Sequence, residues 1–349
     1  MAQISLAVKY RPKTFDDLTE QGSIKEILIN QIETKTFKNA YLFTGPAGTG
    51  KTTSARIFAN MINEGKGNPI EVDAASNSGV DNIRRIIDDS KKKPLDAEYK
   101  IFIIDECHSL SNGAWQAMLK LLEEPPKFSI FILCTTDPQK IPNTILSRVQ
   151  RFQFNKISTN GITDRLINIL DNESGYEVYD DGLIDTNIFD AVNYIAKVSN
   201  GGMRDAITLL DKCLSYSKEI TLENVLMTVG TESYDTFFKF LNSFCDKDKK
   251  CIEVIDKIFA DGKDVKQFMK EFGKFILDVE KYIIYDSFDY INIPETEEYK
   301  NYLSQLVNLP HEVYKVMKMV MTINEQIKWD SDPKTLIQLN ILLYCGAIE

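Results

Sequence analysis

Residues 40–60, AYLFTGPAGTGKTTSARIFAN, pass from an apolar stretch through three glycines into a helical period. Gly45, Gly50, Lys51 and Thr52 in this segment follow the pattern G-x-x-x-x-G-K-[ST]. Glycines let the backbone curl so that successive N–H groups point inward and hold an anion. A helix starting near Lys51 adds the positive end of its dipole. Lys51 then reaches the β- and γ-phosphates of ATP, and the Thr52 hydroxyl ligates Mg²⁺. Ala47, Gly48, Thr49 and Thr53 complete the stretch that would wrap the phosphates.

A second group stands in KIFIIDECH, 54 residues after the loop lysine. The apolar run Ile101–Ile104 carries Asp105 to the end of a buried strand, where its carboxylate can hold the metal and its waters. Glu106 beside it can orient the attacking water, the pairing that phosphoryl transfer needs. The same letters also have the D-E-x-H form of one helicase class, which gives a second enzyme reading. A third reading is a scaffold that binds nucleotide without hydrolysing it. Intact Lys51, Asp105 and Glu106 weigh against that.

These side chains need a frame. Short apolar runs at 40–44, 70–73, 101–105 and 130–135 alternate with helical-period segments at Thr52–Asn63, Val80–Lys93 and Gly113–Leu122. Strands alternating with helices predict an α/β domain with a parallel sheet covered on both faces, its ligand at the carboxyl ends of the strands. After Phe154 the strand signals stop, and the rest reads as helical, with the segment SFDYINIPETEEY (287–299) as a loop. The expected division is a phosphate-loop domain over 1–156, a small helical unit over 157–222 and an all-α unit over 223–349.

The 349 residues suit two or three domains, and 43% apolar with 26% charged residues is a globular composition. No apolar run reaches the length of a membrane span, and no charged-then-apolar leader stands at Met1, so the expectation is a cytoplasmic protein with no membrane partner. The six cysteines form no C-x-x-C pair, which argues for reduced core thiols rather than zinc. Net charge is −10 overall, but +3 over 1–156 and −13 over the remainder. Nucleic acid, if bound, would therefore meet the front half, at Arg84, Arg85 and Lys91–Lys93.

Taken together, KYRPKTFDDL (9–18), GPAGTGKTTSAR (45–56), VDAASNSGVDNIR (72–84), IIDECHSLS (103–111), MLKLLEEPP (118–126), TTDPQKIPNTILSR (135–148) and GGMRDAITLLD (201–211) resemble the AAA+ clamp-loader ATPases. The likeness is strongest to the gamma/tau subunits of bacterial DNA polymerase III, and it extends to IKWDSDPKTLIQ (327–338). It implies an AAA+ phosphate-loop domain, a helical lid and a helical collar. It implies ATP hydrolysis with Mg²⁺, coupled to loading a sliding clamp onto primer–template DNA within a pentameric ring or spiral of clamp-loader subunits.

The resemblance also distributes roles. Arg148 becomes an arginine finger offered to the neighbouring subunit's γ-phosphate, although Val149 follows it where the family usually has cysteine. Arg204 reaches from the lid to the nucleotide. Arg11 and Pro12 lie against the adenine, and Thr135 or Thr136 senses the γ-phosphate. Ser76, Asn77 or Ser78 caps a helix whose free N–H groups meet the DNA backbone. Two departures are visible. The four-cysteine zinc module usual after the phosphate-loop helix is replaced by MINEGKGNPIEV (61–72), and the chain reaches Glu349 without the long tau-type tail.

Overall fold

The computed structural model describes residues 4–173, 178–180, 183–229, 234–246, 248 and 250–346. The chain divides into two compact units, Met1–Lys218 and Glu219–Glu349.

In the first unit, α1 (Leu6–Lys9) and α2 (Gly22–Glu33) precede β1 (Ala40–Thr44), α3 (Lys51–Ile62), β2 (Ile70–Asp73), α4 (Val80–Ser90) and β3 (Lys100–Asp105). Then come α5 (Asn112–Glu123), β4 (Ser129–Thr135), α6 (Asn143–Leu146) and β5 (Gln150–Gln153). The five strands form one parallel sheet in the order β2–β3–β4–β1–β5. Side chains alternate across a strand, so each apolar run feeds two cores. Tyr41, Phe43, Ile101, Ile103, Ile130 and Ile132 pack with α2 and α3 on one face. Leu42, Phe102, Ile104, Phe131 and Leu133 pack with α4 and α5 on the other. The order sets β4 between β1 and β3, with Thr44 level with Thr135, so the carboxyl ends of these three strands share one edge.

Two expectations about this unit need correction. α4 stops at Ser90 rather than Lys93, because Pro94 disfavours the helical region at the residue before it. Strand pairing also continues beyond Phe154, and one strand just before it went without a signal. β5 is a four-residue edge strand with only Phe152 buried, too short for alternation to show. Tyr179–Asp180 and Leu183–Ile184 (β6 and β7) make a two-residue antiparallel pair. Around that pair stand α7 (Thr159–Asn172), α8 (Thr186–Val198) and α9 (Met203–Tyr216). The Ser158 hydroxyl caps α7 by accepting from Gly161 N, and the Asp185 carboxylate caps α8 by accepting from Asn187 N. Leu166, Leu170, Val192, Ile195 and Leu210 are the fully buried centre of this helical subdomain.

The second unit is helical: α10 (Leu222–Val229), α11 (Tyr234–Cys245), α12 (Lys250–Ala260), α13 (Val265–Tyr285), α14 (Glu297–Leu306), α15 (Pro310–Gln326) and α16 (Pro333–Tyr344). Its core is rich in phenylalanine. The Phe240 and Phe272 rings lie 4.7 Å apart, and Phe238 meets Phe275 edge-on at 4.9 Å. The stretch 287–299 is not all loop: Phe288–Tyr290 form a single helical turn, and α14 begins at Glu297. A buried carboxyl group helps to hold it beside the buried Phe288, Ile291 and Ile293. Asp278 is 4% exposed, and its Oδ2 accepts from both Asn292 N and Asn292 Nδ2 at 3.0 Å. Asp278→Ala leaves those donors unpaired and is expected to cost about 2–3 kcal/mol of unfolding free energy, read by urea titration. A loss under about 0.5 kcal/mol would show that the carboxylate is not what holds the segment.

Among the described residues, no helix is long and apolar enough to cross a membrane. The six cysteines, all among the described residues, form no disulfide, and four of them are buried.

Candidate nucleotide-binding site

The loop after β1 crosses the shared strand edge and enters α3 at Lys51. Gly48 and Gly50 take φ of +73° and +97°, the left-handed region that favours glycine. Space matters as well. A Cβ on Gly45 would stand 2.3 Å from the Phe154 carbonyl oxygen, and one on Gly48 would stand 3.0 Å from Gly202 Cα. No side chain caps the first turn of α3, which leaves its N–H groups for a ligand. Such a cradle fits a phosphate. Gly48→Ala should press the loop off the lid, lowering ATP affinity about tenfold at equilibrium binding. Unchanged affinity would mean that this close approach does not shape the site.

Lys51 is 6% exposed, and its Nζ donates to the carbonyls of Gly45 (2.8 Å) and Pro46 (2.7 Å). Burial pushes its pKa down, and the nearby Glu106 and Asp105 carboxylates oppose that shift. Thr52 Oγ1 donates to Asp105 Oδ2 at 2.8 Å, so two residues 53 apart in sequence form one cluster of hard oxygen donors, which suits Mg²⁺.

Glu106 sits in the left-handed region at φ +45°, and its own N–H donates to Asp105 Oδ1 at 3.0 Å. A non-glycine residue held there is strained, a feature that clusters at functional sites. Its Oε2 accepts from Thr136 Oγ1 (3.0 Å) and Thr136 N (3.3 Å), and His108 Nδ1 lies 3.2 Å from the same oxygen. Thr135 is fully buried, with Oγ1 3.1 Å from His108 Nδ1 and accepting from Asp137 N. The geometry therefore separates the two threonines: Thr136 meets the carboxylate, and Thr135 props the histidine.

Above the loop lies a cavity of about 270 Å³. Ala47, Thr49, Thr53, Asp105 and Glu106 line its floor, Arg11 and Pro12 one wall, and Arg204 the lid side. The lid is docked on the loop, since Met203 N donates to Gly48 O at 3.0 Å. It is also tied to the segment before α2. Glu20 and Gln21 are both left-handed, at φ +57° and +58°. Gln21 Nε2 donates to Asn155 O at 2.7 Å and its Oε1 accepts from Asn155 N, while the Glu20 carboxylate accepts from Ser158 N and Oγ. These bonds grip the linker between β5 and α7.

Other expected residues lie elsewhere. Arg148 does not line this cavity. Its Nη2 pairs with Glu123 Oε1 at 2.7 Å and its Nη1 donates to Thr144 O at 2.7 Å. None of Ser76, Asn77 and Ser78 caps α4, whose N-cap is Gly79 in extended backbone with no side-chain bond. The reason is Asp73. Its carboxylate takes the Ser76 hydroxyl and Ala75 N, and its carbonyl takes Asn77 Nδ2, so the loop closes on itself. Arg84 pairs with Asp81 at 3.1 Å on an exposed face, next to exposed Arg85.

Sequence reasoning missed several cavity residues. Tyr10 and Leu18 stand within the segment 9–18, where the pattern drew attention only to Arg11 and Pro12. Ile157 and Ile207 line the lid side as ordinary apolar residues do. Arg165 on α7 carried no signal at all. His108 stood in plain view but was weighed only as part of a helicase signature.

A five-stranded parallel sheet, a glycine loop feeding a helix, an acidic pair two strands away and a helical lid define an AAA+ phosphate-loop module followed by a helical unit. The RuvB Holliday junction branch migration motor of Thermotoga maritima shares the fold, with a TM-score of 0.51 and 21% identity over 67% of this chain and 78% of that one. The family model described as DNA polymerase III, delta subunit, matches residues 68–158. The tau subunit of DNA polymerase III from Bacillus subtilis is 34% identical, over 96% of this chain and 62% of its own length. The gamma subunit from Buchnera aphidicola subsp. Baizongia pistaciae is 36% identical, over 73% of this chain and 72% of its own. The chain belongs to the gamma/tau subunit family of DNA polymerase III. It spans 62% of the Bacillus protein's length and 50% of that of the Mycoplasma genitalium gamma/tau subunit.

Proposed function

We propose that this chain is an ATP-hydrolysing motor subunit of a sliding-clamp loader, acting in DNA replication in the cytoplasm. The observation that supports this reading is where the candidate residues lie. Lys51, Thr52, Asp105, Glu106 and Thr136 converge within the chain, whereas Arg148 stands outside the chain's own cavity.

In this reading the loop amides and Lys51 hold the β- and γ-phosphates of ATP, releasing the lysine from the Gly45 and Pro46 carbonyls. Thr52 and Asp105 would hold Mg²⁺, which supplies charge neutralisation across the β- and γ-oxygens. Glu106, positioned by Thr136, orients water in line with the γ-phosphorus and takes its proton while ADP leaves. Arg148 completes the centre of an adjacent subunit, so hydrolysis depends on assembly. Arg204, one residue beyond the lid's contact with Gly48, reports the γ-phosphate to the lid.

The expected division at 1–156, 157–222 and 223–349 gains support from the grip of Glu20 and Gln21 on residues 155–158, where a lid hinge would lie. The second unit is then the collar. Partners are further loader subunits in a pentameric spiral, a ring-shaped clamp and primer–template DNA. The duplex backbone would run past Ser76–Ser78, Arg84 and Arg85, with salt-sensitive affinity. ATP favours the assembled spiral, and ADP loosens it.

The test is ATP turnover with and without clamp and primed DNA. Stimulation by the two together is expected. No stimulation, or strand separation without any clamp, would overturn the proposal.

A further inference from the structure

We propose that Arg165 is a positioning residue for the nucleotide base, one that makes the wall of the base pocket part of the lid. The inference deepens the ATP-site reading and rests on it. Arg165 belongs to α7, yet it lines the cavity over the phosphate loop. Its Nη2 donates to the Tyr10 carbonyl at 3.1 Å, and its Nη1 is 3.4 Å from Asn168 Oδ1 on its own helix. Tyr10 directly precedes Arg11 and Pro12, which line the same cavity.

That bond is not isolated. Tyr10 Oη and Lys9 Nζ both donate to Glu173 Oε1 at 2.6 Å, just past the end of α7. Burial first, and then the Glu173 carboxylate, push the Tyr10 hydroxyl up to about 12, so it stays a donor throughout the neutral range. Leu6 N donates to Asp211 Oδ2 on α9 at 3.0 Å. The strap 6–12 is thus bound to the lid at its start, along its side chains and at the carbonyl just before the wall. Of the side chains that make these ties, Arg165 and Tyr10 also line the cavity, and Arg165 is the one that comes from the lid. A charged donor on a carbonyl orders the strap more firmly than a neutral one. A base entering the pocket would press on a wall whose place depends on the lid, which couples base binding to lid angle.

This predicts a loss confined to the base. Equilibrium binding to the full chain is measured with Mg²⁺ and two probes, ATP and inorganic tripolyphosphate. Arg165→Ala should weaken ATP about tenfold and tripolyphosphate less than twofold. Arg165→Lys, which keeps a charged donor, should recover most of the loss. ATP affinity unchanged in R165A would overturn the inference. So would ATP and tripolyphosphate falling together, the mark of a merely structural role. If R165A does not fold, the same comparison is made on R165K, where a loss of about twofold for ATP alone is expected and equal loss for both probes refutes the idea. If the unmodified chain binds neither probe, the phosphate-site reading itself fails, a result distinct from any of these.

Discussion

Arg148→Ala is expected to lower ATP turnover of the assembled protein about a thousandfold while changing ATP affinity by less than threefold. An arginine finger acts on charge that develops only in the transition state, so removing it spares ground-state binding. The position of Arg148 sharpens the expectation. It lies just past the short α6, and within its own chain it reaches Glu123 and the Thr144 carbonyl rather than the nucleotide cavity. The Glu123 pair is partly exposed and contributes little to stability, so the finger can leave it at small cost. Two measurements check the claim: steady-state turnover against protein concentration, and binding of a fluorescent ATP analogue. A substituted protein that turns over at the parent rate, or a parent whose specific activity is unchanged on dilution to monomers, would falsify the assignment in trans.

Glu106→Gln should reduce turnover by two to four orders of magnitude and leave ATP bound. Glutamine keeps the volume and an acceptor oxygen for Thr136 N and Oγ1, so the local geometry persists. What it loses is the negative charge that orients water and receives its proton. The strained left-handed backbone at Glu106 makes the same point from another side, since it is retained beside Asp105 where the chemistry would occur. Single-turnover kinetics separate this effect from product release. If hydrolysis in the variant stays within tenfold of the parent, the water is positioned by another group, and His108 becomes the first residue to examine.

Much of the phosphate site was legible because its signals are local. A run of four apolar residues must be buried, and the acid that ends it must emerge at a strand terminus. A glycine loop between strand and helix needs no distant partner to be recognised. The strands at 40–44 and 101–105 were therefore found nearly to the residue. Where the signal was short or two-faced, it failed. β5 buries one side chain, and the start of α4 offered three hydroxyl or amide caps, of which Asp73 holds Ser76 by its carboxylate and Asn77 by its carbonyl.

The amino-acid sequence by itself determined the alternating class of the first unit, the helical character of the second, and the loop lysine, threonine and acidic pair that the fold brings to one strand edge. Each of these depends on composition and spacing within a few turns of backbone. Only the tertiary structure decided which threonine meets Glu106, that Arg148 lies away from its own chain's cavity, and that Arg165 lines that cavity and bonds Tyr10 from 155 residues beyond it. Strand order and lid docking set those distances, and no local pattern encodes a contact that exists only once the sheet has closed and the helices have packed over it.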